Sequence, residues 1–273
     1  MPLSIANTRT DRLAVEMTGV TPDALAPLSL DAVRRARVFH GNQSAELGEL
    51  FTIAGDASDM QWRLAGDFSA VHGLGAGMAA GQIEVDGSVG RRAGAAMRGG
   101  RLVVRGDAGD WVGAEMAGGE IAVHGAAGAW VGAALPGSVR GMAGGRIIVG
   151  HAGDELGRRM RRGTIAVVGD VGERTGADLL AGTILVFGRC GSHPGLAMRR
   201  GTIGLFGPEP PPLLPTFRLA CRAPLPMLGL LRQELRGTGK SSGLLDRLLA
   251  PVDLYHGDLL QSGRGEVLVH APR

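Results

Sequence analysis

The seven residues Gly81-Gln82-Ile83-Glu84-Val85-Asp86-Gly87 decide the fold, because their pattern returns along the middle of the chain. Full copies follow at 100–106, 119–125, 163–169, 182–188 and 201–207, and a copy shortened by one residue lies at 145–150. The first apolar residues of the copies are spaced 19 residues apart, apart from one step of 26 and one of 18. These residues are Ile83, Leu102, Ile121, Ile147, Ile165, Ile184 and Ile203.

Glycines at fixed offsets follow each copy, as in Gly87, Gly90 and Gly94, and a methionine precedes nearly every next one. A glycine at the same place in every repeat indicates a tight backbone corner. Nineteen residues are too few for helical repeats. We therefore predict a mainly β fold, a right-handed parallel β-helix with glycine-rich coils of about 19 residues, in which identical apolar residues stack in ladders.

The flanks differ from the repeat and predict three parts. Residues 1–60 form a small α/β N-terminal cap, with a helix near 29–36 and a strand at 48–53. Residues 61–207 form the glycine-rich β-helix, and Trp62 begins an irregular first coil. Residues 208–273 form a proline-rich linker and a partly helical extension, with helices near 227–236 and 242–249 and a last strand at 266–269.

Composition excludes several classes of protein. Glycine supplies 47 of 273 residues, but the chain lacks the Gly-X-Y period of collagen, and 44% hydrophobic residues argue against disorder. A net charge of +3 does not call for nucleic acid as a partner. Two cysteines without a C-x-x-C pair, no signal-peptide pattern and no long apolar run predict a cytoplasmic protein without membrane contact.

The outward positions of the later strands are also apolar, for example Ile148, Leu185, Phe187 and Phe206. A sheet that is apolar on both faces is normally covered on both. The sequence leaves open whether the C-terminal tail, another subunit or both provide the cover.

Trp111 and Trp130 are separated by one repeat and are expected to stack on each other. They either close a corner as an aromatic ladder or form an exposed pair at an interface, where tryptophan is often an anchor.

Arginines form the candidate binding site: Arg158, Arg159, Arg161, Arg162, Arg199 and Arg200. Stacked arginines are usually solvated or paired with acids, and Glu155 and Asp178 lie nearby in sequence. The alternative is a basic strip that binds an acidic partner or polyanion. Nucleic acid is disfavoured, because aromatic residues do not alternate with these arginines.

Patterns typical of catalytic or metal sites are missing from the sequence. The seven histidines are scattered, and only His124 and His151 occupy nearby places on adjacent repeats. There is no G-x-S-x-G motif and no Walker loop, and the glycine runs follow no βαβ unit. We therefore assign no catalytic residue and no metal ligand.

The repeat resembles a known family. Gly-Met-Ala-Gly-Gly at 141–145 and Met-Arg-Arg-Gly at 160–163 and 198–201, on the 19-residue period, are similar to the C subunit of formylmethanofuran dehydrogenase. The flanking motifs Leu47-Gly48-Glu49-Leu50-Phe51, Gly257-Asp258 and Gly263-Arg264-Gly265-Glu266 extend this resemblance. The coils also resemble the C-terminal β-helix domain of the glutamate synthase large subunit.

The resemblance implies a non-catalytic scaffold subunit of a bacterial formyltransferase/hydrolase complex in one-carbon metabolism. Such a complex moves a formyl group from tetrahydromethanopterin to a methanofuran analogue and releases formate during formaldehyde oxidation. The partners would be amidohydrolase-like, formyltransferase-like and dehydrogenase-B-like subunits, which would hold the metal and the polyglutamylated methanofuran analogue. This chain would bind no cofactor alone, although its six arginines would lie near the acidic chain of the analogue or near an acidic neighbour.

Two alternatives remain open at this point. The chain is the C subunit of a redox-active molybdenum or tungsten dehydrogenase, or it is an independent β-helix binding module.

Overall fold

The computed structural model describes residues 1–236 and 242–270, and in this part the chain is mainly β. One sheet has 13 strands and is mostly parallel, and a second sheet has four strands. In the large sheet, three strands of the C-terminal segment lie at one edge, the repeat strands follow in reverse chain order, and two strands of the N-terminal segment lie at the other edge. The small sheet combines three N-terminal strands with one short strand from the first repeat.

The N-terminal segment contributes five strands and three short helices. They are β1 (Leu3–Ala6), β2 (Val15–Glu16), α1 (Pro22–Leu25), α2 (Leu30–Arg34), β3 (Arg37–His40), β4 (Gln43–Glu46), α3 (Leu47–Leu50) and β5 (Thr52–Ala54). Strand β1 pairs in parallel with the first repeat strand, so the N-terminus extends the large sheet.

The repeat contributes most of the large sheet. Its strands in that sheet are β6 (Gln61–Ala65), β8 (Gln82–Asp86), β9 (Arg101–Val104), β10 (Glu120–Ala127), β11 (Ala143–Ala152), β12 (Arg162–Val167), β13 (Thr183–Val186) and β14 (Arg200–Leu205). The short strand β7 (Val71–His72) follows β6 and belongs to the small sheet. Trp62 lies opposite Ile83, which confirms that β6 belongs with the repeat strands.

Each repeat strand pairs in parallel with the equivalent strand of the next repeat. Ile83 lies opposite Leu102, Ile165 opposite Ile184, and Ile184 opposite Ile203. A second column of parallel bridges runs beside this sheet, for example between Val89 and Ala108. The predicted apolar ladder is therefore present and fully buried, and the methionines that precede the strands pack into the same core.

The corners between strands use left-handed backbone at alternate residues. In one corner Arg174, Gly176 and Asp178 have φ of 55°, 69° and 54°. A Cβ on Gly176 would lie 2.6 Å from Cδ1 of the buried Ile203, so the central position needs glycine for space as well as for φ. The two outer positions carry side chains that remain on the surface.

Acidic side chains also join successive repeats. Asp107 Oδ1 accepts a hydrogen bond from the Ala126 backbone N–H at 2.8 Å. Asp170 Oδ1 likewise accepts from the N–H of Arg189 at 2.7 Å. Each donor lies 19 residues after its acceptor, so these carboxylates satisfy backbone groups of the next repeat.

The C-terminal segment folds back over the outward face of the later strands. It contains β15 (Arg218–Ala223), α4 (Pro226–Arg236), α5 (Ser242–Asp246), a 3₁₀ turn (Arg247–Leu249), β16 (Val252–Gly257), a second 3₁₀ turn (Leu259–Gln261) and β17 (Arg264–His270). Leu228 and Leu248 pack in one buried cluster with Ile148, Leu185 and Phe206. The open question about the doubly apolar sheet is thus answered, because the chain's own tail covers these residues.

Most predicted flanking elements are present, but the strand expected at 48–53 is wrong in its first half. Residues Leu47–Leu50 form a helical turn, and only Thr52–Ala54 is extended. A capping box explains the difference, since the Glu49 side chain accepts from the Glu46 N–H at 2.9 Å. The helix near 29–36 is confirmed as α2, with Ser29 as its N-cap.

Candidate functional site

The structure divides the six predicted arginines into two groups. Arg158 and Arg159 belong to a network of ion pairs. Arg158 Nη1 lies 2.7 Å from Glu155 Oε2, and the Nε atoms of both arginines lie 3.5 Å from Asp178 Oδ2. Arg174 Nη2 also lies 3.2 Å from Glu155 Oε1, so three arginines share these two carboxylates.

The other four arginines are exposed where two strands begin. Arg161 and Arg162 lie at the start of β12, and Arg199 and Arg200 lie at the start of β14. Within the described part of the chain, none of their side chains forms an ion pair. Their charge is therefore available to a ligand.

Strand pairing adds a fifth arginine to this group. Arg264 at the start of β17 lies directly opposite Arg200 and is also exposed. We call the five residues the arginine strip: Arg161, Arg162, Arg199, Arg200 and Arg264. Arg161 and Arg199 occupy equivalent places two repeats apart, since the N–H of each bonds to the carbonyl of a buried residue one repeat earlier. Sequence reasoning missed Arg264, because only the pairing of β17 with β14 brings it there.

The two tryptophans stack, as predicted. The ring centroids of Trp111 and Trp130 are 4.6 Å apart and the ring planes differ by 13°. Both side chains are half-buried. Trp130 Nε1 donates to Glu155 Oε2 at 3.2 Å, which links the aromatic pair to the ion-pair network of Arg158.

Two cavities lie against this pair. One has a volume of about 320 Å³ and is lined by both tryptophans, residues 134–138, Arg158 and Arg159. Residues 134–138 lie at the insertion, around residues 136–141, that lengthens one step of the repeat to 26 residues. The other has about 360 Å³ and is lined by Arg91, Arg92, Trp111, Leu135 and Pro136. We call the two together the tryptophan groove, with Leu135 and Pro136 on the wall that they share.

Two residues with perturbed pKa values have structural explanations. Burial, followed by the charge of Arg91, holds the pKa of His72 below its ordinary value, and His72 Nδ1 faces the Arg91 N–H at 3.2 Å. Burial raises the pKa of Cys190 to about 11, so this thiol stays protonated at neutral pH. Neither environment favours a nucleophile or a general base near pH 7.

The histidine pair considered from sequence is offset along the strands. His151 lies opposite Ala126 rather than His124, and its Nδ1 faces the Asp170 N–H at 3.0 Å. Across residues 1–236 and 242–270, no three His, Cys, Asp or Glu side chains are grouped so as to hold a metal ion. In the same residues, no helix is long and apolar enough to cross a membrane.

These features describe a repetitive, mostly parallel β protein whose surface carries candidate interaction sites. No protein-family model matches the chain. One solved structure matches nearly all of it, with a TM-score of 0.90, 33% identity, and coverage of 98% of this chain and 100% of the other. That structure is the formyltransferase/hydrolase complex FhcABCD from Methylorubrum extorquens in complex with methylofuran.

Curated relatives match a shorter region. The C subunit of the molybdenum-containing formylmethanofuran dehydrogenase 1 of Methanothermobacter marburgensis is 40% identical over 80 residues, or 29% of this chain. The C subunit of the tungsten-containing dehydrogenase 2 of Methanothermobacter thermautotrophicus is 37% identical over 79 residues. The matched regions span 20% and 29% of the length of these relatives. The match over the whole chain at 33% identity shows that this chain belongs to the same family as a chain of the formyltransferase/hydrolase complex, and the curated C subunits resemble part of it.

Proposed function

We propose that this chain is the C subunit of a formyltransferase/hydrolase complex of one-carbon metabolism and acts there as a non-catalytic scaffold. The observation that carries the proposal is the structural match over 98% of the chain to a chain of FhcABCD at 33% identity. A match of that extent includes the flanks as well as the repeat. A repeat domain shared with an otherwise unrelated protein would explain it less well. The complex would transfer a formyl group from tetrahydromethanopterin to a methanofuran analogue and release formate.

The body of the scaffold is a right-handed parallel β-helix over residues 61–207, between an N-terminal cap at 1–60 and an extension at 208–273. The parallel register at a 19-residue offset and the second column of bridges support this architecture. Such a stack of repeats is quasi-one-dimensional and offers a long, rigid surface. Rigidity is what a subunit needs if it is to hold separate active sites in fixed positions.

Three partner types follow from the proposal, namely amidohydrolase-like, formyltransferase-like and dehydrogenase-B-like subunits. The solved relative is a four-component complex, which supports three partner subunits for this chain. The metal and the catalytic groups would lie in those partners. The free cysteines Cys190 and Cys221 agree with a cytoplasmic location.

The arginine strip is the proposed contact of this chain with the acidic chain of the methanofuran analogue or with an acidic neighbour. The five exposed guanidinium groups of the strip fit a ligand with several carboxylates, because arginine binds carboxylate in a bidentate fork. Methylofuran is the bound molecule in the solved relative, which supports this class of ligand. Arg158 and Arg159 would contribute less, since Glu155 and Asp178 already pair with them.

Replacing Arg161 and Arg162 together with alanine should weaken retention of the analogue or assembly of the complex by about tenfold or more, as expected for lost charge-assisted hydrogen bonds. The double variant Arg35→Ala/Arg37→Ala removes the same charge from an exposed N-terminal site and serves as the control. The measurement is the amount of analogue and of each subunit in the purified complex. Equal retention and assembly in both variants would remove the strip from the proposal.

The scaffold role itself is tested by reconstitution. Partner subunits mixed without this chain should fail to form the full complex and should lose coupled formyl transfer and hydrolysis. The isolated chain should catalyse neither reaction. Formyltransferase or hydrolase activity in the isolated chain would contradict the scaffold role.

A second candidate is favoured by the curated relatives, which are subunits of molybdenum- and tungsten-containing dehydrogenases. In that case the assembly would be redox-active. Metal and pterin analysis of the purified assembly separates the two functions, because a stoichiometric amount of molybdenum or tungsten belongs to the dehydrogenase and not to the hydrolase.

A further inference from the structure

We infer that the tryptophan groove is the docking site for a segment of a partner subunit that carries an apolar side chain beside a carboxylate. The inference rests on the proposed scaffold function and names one surface of this chain through which it acts. The groove shares no residue with the arginine strip.

The tryptophans occupy a corner position whose backbone is the same in other repeats. Trp111 and Trp130 have φ of 59° and 61°, and the equivalent residues Arg92 and Arg174 have φ of 62° and 55°. The repeat thus provides a fixed position for a surface side chain, and two adjacent repeats fill it with indole rings.

The placement of the tryptophans points to an interface. The sequence has three tryptophans, and Trp62 is buried in the core with 1% exposure. The other two are stacked and half-exposed beside two open cavities. Tryptophan and arginine are the residues most enriched among those that dominate binding energy at protein interfaces, and both line this groove.

The wall of the groove is held in place from both ends. Leu135 and Trp111 both pack against a small cluster of alanines, and the Leu135 N–H donates to Glu115 Oε1 at 3.2 Å. At the other end, Arg159 Nη1 donates to the Ser138 carbonyl at 3.0 Å. The insertion that breaks the 19-residue period therefore forms a prearranged wall, which lowers the entropy cost of binding.

The charge around the groove indicates the chemistry of the segment. Among residues 1–236 and 242–270, Arg158 and Arg159 make their ion pairs and hydrogen bonds through Nη1 and Nε, which leaves their Nη2 groups for a carboxylate. Exposed Arg91 flanks the cavity on the other side of Leu135. Two cavities on either side of an apolar ridge fit an extended chain segment better than one compact small molecule.

The test replaces Leu135 with aspartate, which places a charge on the apolar wall without removing a tryptophan. Val139→Asp is the matched control, since Val139 belongs to the same insertion, is 70% exposed and lines neither cavity. Each variant is reconstituted with the A, B and D subunits that accompany it in its host, and the dissociation constant and native mass are measured. A thermal melt of each isolated variant checks its fold.

Leu135→Asp should weaken assembly at least tenfold while Val139→Asp leaves it unchanged, and Trp130→Ala should behave like Leu135→Asp. Unchanged assembly of both groove variants would overturn the inference and leave the proposed function intact. If the wild-type chain itself fails to assemble, the proposed function is wrong. A dimer of the isolated wild-type chain that Leu135→Asp abolishes would assign the groove to a second copy and also overturn the inference.

Discussion

Single residues at the corners set the geometry of the repeat. The central corner glycine must adopt a left-handed conformation and must also leave room for the isoleucine ladder, as Gly176 does beside Ile203. Its neighbours Arg174 and Asp178 share the left-handed conformation but point away from the core. The central position of the corner therefore needs glycine, whereas the two outer positions can carry polar side chains on the surface.

Gly176→Ala is expected to lower the free energy of unfolding by about 2 to 5 kcal/mol, the sum of a left-handed penalty and of overpacking in the core. Gly77→Ala is the control, because Gly77 has φ of 78° but a Cβ added there would meet nothing within 4 Å. It should cost only about 1 to 2 kcal/mol. Urea unfolding of the isolated chains measures both, and equal losses would contradict the steric argument.

His72 predicts a pH dependence of stability. Its pKa is lowered in the folded chain by burial and by Arg91, and Glu16 opposes this shift. At pH values between the lowered pKa and the ordinary value near 6.5, His72 binds more protons in the unfolded chain than in the folded chain. The stability that His72 contributes is therefore complete above that ordinary value and is lost as the pH falls through this window.

Urea midpoints measured from about pH 8 down to about pH 5 should fall more steeply for the wild type than for His72→Asn. Asparagine can still accept the Arg91 N–H, but it does not titrate. Parallel curves for the two proteins would show that His72 makes no contribution.

At the scale of elements, the C-terminal helices complete the fold by covering the outward face of the later strands. Leu228 on α4 is fully buried in this layer, whereas Leu230 on the same helix is 69% exposed. The helix thus has one face that belongs to the core and one that does not.

Leu228→Ala should destabilise the chain by about 2 to 5 kcal/mol, as buried leucine truncations do. Leu230→Ala should change stability by less than about 0.5 kcal/mol. Chemical denaturation measures both, and binding of a hydrophobic dye reports whether the outward face opens. If the two substitutions have the same effect, the helix does not pack as described.

Local patterns predicted the repeat strands well, because each strand and its ladder recur at a fixed offset in sequence. The helices near 227–236 and 242–249 and the final strand were also visible, and their positions are confirmed by α4, α5 and β17. The pairing of β15, β16 and β17 was not predicted, since it depends on contacts between distant residues.

The candidate site was predicted less completely for the same reason. The stack of Trp111 on Trp130 followed from the period, but the wall around Leu135 came from an insertion without a repeat counterpart. The sequence identified the arginines as a group, but it could not separate Arg158 and Arg159 from those of the strip. That separation depends on the distance of each guanidinium group from Asp178. Arg264 joins the strip only through β17.

At the scale of the whole molecule, the chain presents two surfaces that share no residue, the arginine strip and the tryptophan groove. The arginine strip has charge available for an acidic ligand, and the tryptophan groove has aromatic anchors beside an ion-pair network in which three arginines share two carboxylates. A subunit that joins others needs more than one contact surface, and these two differ in chemistry. That difference would allow the scaffold to bind distinct partners without exchange between them.

The most direct test of the scaffold account is affinity purification of the tagged chain from its host, followed by mass spectrometry of the subunits and by native mass. The account predicts stoichiometric co-purification with formyltransferase-like and amidohydrolase-like chains in one assembly. Recovery of the chain alone, as a stable monomer with its own ligand, would contradict it and favour an independent binding module.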